Sequence, residues 1–287
     1  MSLHDNSEPS LRIPPWLRVK IPCNTTYTAT RNLVGDLKLN TVCQSAKCPN
    51  MFECFSSRTA TFLILGNACT RNCAFCNIGR AATVPPDPDE PARVADAARQ
   101  LELRHAVITS VTRDDLEDGG AAHFARTIEA VRTALPQCTI EVLIPDFQGS
   151  LPALQAVMRA APDIINHNVE TSPAHYTRIR PQADYAQSLH LLERVKAAGF
   201  RSKSGLMVGL GETDEEVRGV LDDLAAIRCD IVTIGQYMRP SRSHPPVQRY
   251  VHPDIFEEYA EYGRQKGIAH MFSAPLVRSS YNAAMFA

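Results

Sequence analysis

Nine cysteines stand in this chain, and six of them fall within the 34 residues from Cys43 to Cys76. They form two triads, Cys43-x4-Cys48-x5-Cys54 and Cys69-x3-Cys73-x2-Cys76, separated by the apolar run 59–66. Three thiolates fill three corners of a metal site, whereas structural zinc takes four closed ligands, usually as two short pairs. Each triad is one ligand short. A cubane iron-sulfur cluster has four irons, so three cysteines leave one iron free for a substrate, a cofactor or an unusual protein ligand. For Cys69, Cys73 and Cys76 the spacing favours such a cluster, with zinc or a purely structural role as the alternatives. The Cys43 triad, taken alone, admits the same choices. Cys138, opening a strand at 138–144, and Cys229, just before a strand at 231–235, read as core thiols. Cys23, in a Pro-flanked segment without a neighbouring partner, is expected to hold no metal.

The elements that must position these residues belong to a globular enzyme-sized chain. Its 287 residues are 44% hydrophobic and 21% charged, an ordinary globular composition. Thirty Lys and Arg against 31 Asp and Glu give a formal charge of -1, which offers no broad basic footprint for nucleic acid. No apolar run approaches the length needed to span a bilayer, and the first twenty residues lack a basic start and an apolar core. The expectation is no membrane partner and a reducing cytoplasm, where cysteines do metal or thiolate chemistry rather than form disulfides.

From residue 60 onward, strand-like runs alternate with helix-period segments, the mark of βαβ units and a parallel sheet in an α/β fold. Six strands are predicted, near 61–65, 105–109, 139–144, 163–169, 201–208 and 230–234. Helices fit 90–103, 120–135, 150–160, 185–198 and 213–227, the last opened by Thr213 with Glu216 three residues on. Six strands are too few for a closed eight-stranded barrel. The polar motifs Cys69, 109–115, Pro145-Asp146, 166–170, 209–212 and 236–240 all sit at or just beyond strand ends, where such folds collect their active sites. The turn 209–212 lacks the Lys and Ser/Thr of a phosphate loop. A helix at 253–266 and a tail close the chain.

The run Cys69-Thr-Arg-Asn-Cys73-Ala-Phe-Cys76, with an aromatic before its last cysteine, resembles the signature of the radical S-adenosylmethionine (SAM) superfamily. The first triad, together with Val277-Arg278-Ser279-Ser280-Tyr281, resembles the auxiliary-cluster ligand set of the lipoyl synthase family. The likeness extends to Asp114-Asp115, Gly119-Gly120, the 166–171 and 204–213 runs, and the segment from Gln236 to Pro245. Asn282 stands where that family usually has histidine, and Gln182 where it usually has glycine.

The resemblance implies a partial (β/α)6 TIM-type barrel open on one side. Residues 1–58 would be an extension carrying the auxiliary-cluster cysteines, 59–251 the barrel, and 252–287 a helix and tail closing the auxiliary cluster. It implies two [4Fe-4S] clusters and S-adenosyl-L-methionine. The cluster on Cys69, Cys73 and Cys76 would bind SAM and cleave it to methionine and a 5′-deoxyadenosyl radical. Unactivated methylenes carry no acidic proton, so no general base can functionalise them and a radical is required. The second cluster, on Cys43, Cys48, Cys54 and Ser280, would donate sulfur to C6 and C8 of an octanoyl chain. That chain would sit on a lysine of a lipoyl carrier, either a 2-oxoacid dehydrogenase E2 domain or the glycine cleavage H protein. A ferredoxin or flavodoxin reductant and a cluster-repair carrier are implied as further partners.

For SAM itself the candidates are Gly119, Gly120, Asn168, Glu170 and Arg180. Each has a plainer reading: a helix-opening turn for the glycines, a strand cap for Asn168 and Glu170, a solvated surface charge for Arg180, and a turn-capping hydroxyl for Ser280. His244 and Arg278 are candidates for placing the carrier or protonating Ser280. Another sulfur-inserting radical enzyme, resembling biotin synthase or a methylthiotransferase, is the nearest rival. A two-cluster electron carrier or zinc-stabilised module would leave the long βα repeat without a purpose.

Overall fold

The computed structural model describes residues 12–19 and 25–280, so Cys23, Tyr281 and Asn282 lie outside the described residues. Three helices, α1 (Thr25–Asp36), α2 (Val42–Ser45) and α3 (Met51–Ser56), precede the main sheet, with a two-residue strand β1 (Asn40–Thr41) between the first two. The alternation then runs β2 (Thr61–Ile64), α4 (Glu90–Gln100), β3 (His105–Ser110), α5 (Ala121–Ala134), β4 (Thr139–Leu143), α6 (Leu151–Arg159) and β5 (Ile164–Asn166). It continues through α7 (Pro173–Ile179), α8 (Tyr185–Ala197), β6 (Arg201–Val208), α9 (Asp214–Ala226), β7 (Ile231–Gln236), α10 (Pro253–Gln265) and β8 (His270–Ser273).

The sheet runs in sequence order from β1 to β8, with β2 to β8 parallel and β1 antiparallel to β2. Strands joined in order through helices give the curved parallel sheet of a TIM-type barrel. Its edges are β1 and β8, so the barrel is partial. The six predicted strands are present, and two more extend the sheet. At two and four residues, β1 and β8 are too short for a periodicity to show. The fourth predicted strand is cut from 163–169 to Ile164–Asn166, because the chain turns away there and rejoins the sheet at Glu170 through one bridge to Leu206. Glu170 takes a left-handed φ of 70°, which ends regular pairing. The predicted α9 opens with a complete capping box between Thr213 and Glu216.

The core divides by layer. Helix faces of α4, α5 and α6 pack on the first strands through residues such as Val94, Phe124 and Leu154, and α9 and α10 pack on the later ones through Val220 and Phe256. Inside the barrel the filling is partly polar. Lys203 Nζ donates to both carboxylate oxygens of Glu141 at 2.8 and 3.0 Å, and both side chains are fully buried. Burial favours a neutral Glu141, but Lys203 outweighs it and keeps the carboxyl below its ordinary range.

His167, at the end of β5, is also buried. Its Nδ1 lies 2.8 Å from the carbonyl of Ile144 and its Nε2 3.1 Å from Ser188 Oγ. Burial, with Arg180 nearby, lowers its pKa to about 4. The folded protein therefore holds a neutral imidazole, whereas the unfolded chain takes up a proton near pH 6.5. Stability is full above that value, declines as pH falls, and levels off below about 4, a span worth on the order of 3 kcal/mol. Unfolding midpoints of the cluster-free chain between pH 7 and 4 are expected to fall steadily, and His167→Gln to flatten the slope.

Candidate functional site

The second cysteine triad lies on the loop that leaves β2, at the C-terminal end of the barrel. Its backbone is fixed from several sides. Cys69 donates its N–H to Gly79 O, Thr70 to Thr112 O beyond β3, and Ala74 to Ile179 O at the end of α7. The strongest tie is Arg71, between the first two cysteines. Its Nε and Nη2 reach Asp114 at 2.7 and 3.0 Å, and its Nη1 and Nη2 reach Asp146 at 2.7 and 2.6 Å. One guanidinium thus clamps the loop to the ends of β3 and β4. Burial works against the charge, but the two carboxylates hold Arg71 protonated, and Asp146 is depressed to about 2.

Gln182, the departure from the usual glycine, closes on the same loop: its Oε1 accepts from Asn72 N at 2.6 Å. His244 comes to this triad as well, its Nε2 lying 3.1 Å from the carbonyl of Cys76. The segment after β7 is thereby folded over the cysteines.

Asn168, Glu170 and Arg180 gather beside Cys73. Asn168 Nδ2 donates to Glu170 Oε1 at 3.0 Å, and Arg180 Nη1 donates to the Asn168 carbonyl at 2.9 Å. The plainer reading of Arg180 as a solvated charge is overturned, since it is only 8% exposed and lies over the Tyr176 ring at 5.2 Å. Its Nε has no hydrogen-bond partner among the described residues. Burial raises the Cys73 thiol, opposed by Arg180, and pushes Cys76 to about 12.

Gly119 and Gly120 take φ of 60° and 91° just before α5. A Cβ on Gly120 would meet Leu65 at 2.4 Å and one on Gly119 would meet Phe147 at 3.0 Å, so the turn also needs glycine for packing. In the 209–212 turn, the Glu212 carboxylate accepts the N–H groups of Gly209 and Leu210 at 2.5 and 2.9 Å.

The first triad gathers at the other end of β2, beside the strand's first residue, Thr61. Pairing of β1 with β2 sets Thr41 opposite Phe62 and starts α2 beside the barrel edge. Cys43, Cys48 and Cys54 then line one pocket with Asn50, Thr61, Arg278 and Ser280. Asn50 Nδ2 donates to Leu276 O at 2.7 Å, tying this loop to the C-terminal tail. Asn77 Nδ2 donates to Ser45 O at 2.8 Å, tying the loops of the two triads together.

Burial pushes Cys43 to about 11, and burial with the neighbouring thiols pushes Cys54 to about 12. Cys48 is raised by burial too, with Arg278 opposing. Three mutually repelling buried thiols exist as thiolates only when bound cations replace the protons, which fits a cluster of irons. Among the described residues no three His, Cys, Asp or Glu side chains gather as a single-ion site.

The tail's two serines point to different places. Ser280 Oγ accepts from Thr61 Oγ1 at 2.9 Å and lines the cysteine pocket. Ser279 Oγ instead accepts from Asn166 Nδ2 at 2.7 Å and donates to Asn168 Oδ1 at 2.9 Å. The tail reaches this position by crossing β7 at Gly235, where a Cβ would lie 2.0 Å from the Val277 carbonyl. Gly235→Ala is therefore expected to lift the tail and withdraw Ser280 from the cysteine pocket, which faster hydrogen exchange of residues 274–280 would show.

A partial parallel barrel with a Cys-x3-Cys-x2-Cys loop after its first parallel strand defines a radical SAM type of protein, and the second triad with its serine narrows the type. The profile of the Radical SAM superfamily matches residues 63–224, and that of the N-terminal domain of lipoyl synthase of the radical SAM family matches 2–48. A lipoyl synthase of Oleidesulfovibrio alaskensis is 75% identical over 100% of this chain and 98% of its own length. One from Nitratidesulfovibrio vulgaris is 74% identical over 99% of this chain and 95% of its own. Among solved structures, a maturase of the [FeFe]-hydrogenase matches with a TM-score of 0.60 at 14% identity, covering 86% of this chain and 63% of that one. Methylornithine synthase matches at 0.53 and 13% identity, covering 88% and 83%. These two show the fold alone. The chain belongs to the radical SAM superfamily and, within it, to the lipoyl synthase family.

Proposed function

We propose that this chain inserts sulfur at C6 and C8 of a protein-bound octanoyl-lysine. Cys69, Cys73 and Cys76 would hold one [4Fe-4S] cluster, and Cys43, Cys48, Cys54 and Ser280 a second. The observation that carries the reading is the joining of three cysteines from the N-terminal segment with Ser280 from the tail in one pocket, 219 residues after Thr61. When bound, the clusters and SAM supply a 5′-deoxyadenosyl radical for hydrogen abstraction and sulfide for transfer.

The chain's own residues supply placement. Arg71, with Asp114 and Asp146, keeps the Cys69 to Cys76 loop in one conformation. Asn168 and Glu170 offer amide and carboxyl groups suited to ribose hydroxyls, Arg180 a cation suited to a carboxylate, and the Gly119-Gly120 turn exposed backbone. Ser280 is a hard oxygen in a soft-ligand site, and its hydroxyl, positioned by Thr61, can be protonated and released more readily than a thiolate. Arg278 lines the same pocket, where it favours thiolates. His244 belongs with the radical-forming triad rather than with Ser280.

The same reading keeps residues 1–58 as the extension bearing the auxiliary-cluster cysteines, 59–251 as the barrel and 252–287 as the closing segment. It makes the substrate a lipoyl carrier domain, the reductant a ferredoxin or flavodoxin, and the compartment cytoplasmic. No helix among the described residues is long and apolar enough to cross a membrane.

The test is anaerobic turnover of the reconstituted protein with SAM, a reductant and an octanoyl-lysyl carrier domain. The expected result is a carrier heavier by two sulfur atoms, with 5′-deoxyadenosine formed. Deoxyadenosine with an unchanged carrier would reject the substrate.

A further inference from the structure

A continuous network of hydrogen bonds runs from the barrel interior to the residues beside Cys73, and the C-terminal tail is one of its links. Lys203 Nζ donates to Glu141 Oε1 at 2.8 Å. The same oxygen accepts from Asn166 Nδ2 at 3.1 Å, and Nδ2 also donates to Ser279 Oγ at 2.7 Å. Ser279 passes its proton to Asn168 Oδ1 at 2.9 Å, and Asn168 Nδ2 donates to Glu170 Oε1 at 3.0 Å. Asn166 Nδ2 gives both of its protons, one to Glu141 and one to Ser279, and Asn168 Nδ2 gives one to Glu170, so from Asn166 outward the direction is fixed by the chemistry of the groups.

We infer that Ser279 is a positioning residue for sulfur insertion: it pins the tail to this network, holds Ser280 over the Cys43 pocket, and links the tail to the Asn168–Glu170 side. The inference rests on the reading of Ser280 as the fourth member of the first triad.

The position suits a hydroxyl and nothing smaller. Alanine at 279 leaves one N–H of the Asn166 amide without its acceptor and Asn168 Oδ1 without a donor. Asn166 Oδ1 is already without a partner among the described residues, so the network has no slack there. The partners lie 113 and 111 residues away in sequence, which separates this role from that of a local turn cap. Space is reserved for the junction as well, since a Cβ on Gly205 would meet Thr233 Oγ1 at 2.4 Å and Asn168 Oδ1 at 3.0 Å.

The experiment compares the full-length parent chain with Ser279→Ala and Ser279→Thr. Hydrogen exchange of residues 274–280 is read first on cluster-free protein, where no iron holds the tail. Ser279→Ala is expected to exchange roughly tenfold faster or more, and Ser279→Thr, which keeps the hydroxyl, to stay near the parent. After reconstitution, Ser279→Ala is expected to lose sulfur insertion roughly tenfold while 5′-deoxyadenosine formation falls by less, since Asn168 loses only one partner, with Thr restoring both. Unchanged tail exchange in Ser279→Ala would overturn the inference, as would deoxyadenosine formation falling as far as insertion. Full insertion by Ser280→Ala would instead overturn the ligand reading beneath it, and the cluster-free exchange result keeps the two failures apart.

Discussion

Replacing Cys73 with alanine is expected to remove both SAM cleavage and sulfur insertion, each by roughly a thousandfold or more, a barrier change of about 4 kcal/mol at 1.36 kcal/mol per tenfold. Cys73 is the middle cysteine of the second triad, a proposed cluster ligand, and stands next to Arg180 and Glu170, the groups that favour and oppose its thiolate. The loop around it is already tied down by Arg71, Gln182 and His244, so alanine removes a ligand without freeing the backbone. Two cysteines cannot do the work of three at a cluster that must also offer an open iron. Cys138→Ala and Cys229→Ala serve as controls, because both thiols are buried in the core and donate to backbone carbonyls. They are expected to keep both products. Deoxyadenosine formation at a tenth of the parental rate or better in Cys73→Ala would mean that SAM is cleaved elsewhere.

How much of this could be read before folding depends on whether a signal is local. The cysteine spacings are local, and so is the capping box of α9, which the sequence marks with Thr213 and Glu216. Six strands show as apolar runs because β2, β3 and β7 are buried almost throughout. Arg71 carries no such mark. It sits between two cysteines as an ordinary arginine, and its carboxylates are 43 and 75 residues away. Asp114 and Asp146 stand out in sequence as polar groups at strand ends, but only the curved sheet brings both to one guanidinium. Arg180 shows the reverse, since the sequence leaves a solvated surface charge open beside the SAM-contact reading, and the fold buries it over Tyr176. The tail could not be divided by spacing at all. Adjacent serines are chemically identical until the crossing at Gly235 turns Ser279 toward Asn166 and Ser280 toward Thr61.

That division makes the second prediction sharp. Cys43→Ala and Ser280→Ala are both expected to keep 5′-deoxyadenosine formation within about threefold of the parent while sulfur insertion falls roughly a thousandfold. The split follows from the two triads standing at opposite ends of β2, on separate loops. Cys43 is buried in its pocket, so alanine there would remove one of the three proposed thiolate ligands. Ser280→Ala costs the protein little in packing, since Thr61 Oγ1 loses one hydrogen bond of about 1 kcal/mol. A large loss of insertion would therefore belong to the chemistry of the oxygen and not to unfolding, which an unchanged unfolding midpoint would establish. Ser280→Cys completes the argument. A thiolate suits iron better than an alkoxide does, and it leaves less readily. Iron content in Ser280→Cys is expected to match or exceed that of the parent while insertion drops by roughly tenfold or more. If that variant inserted sulfur at the parental rate, the oxygen at position 280 would not be what allows the site to come apart, and the fourth ligand would have to be sought among the other residues of the pocket.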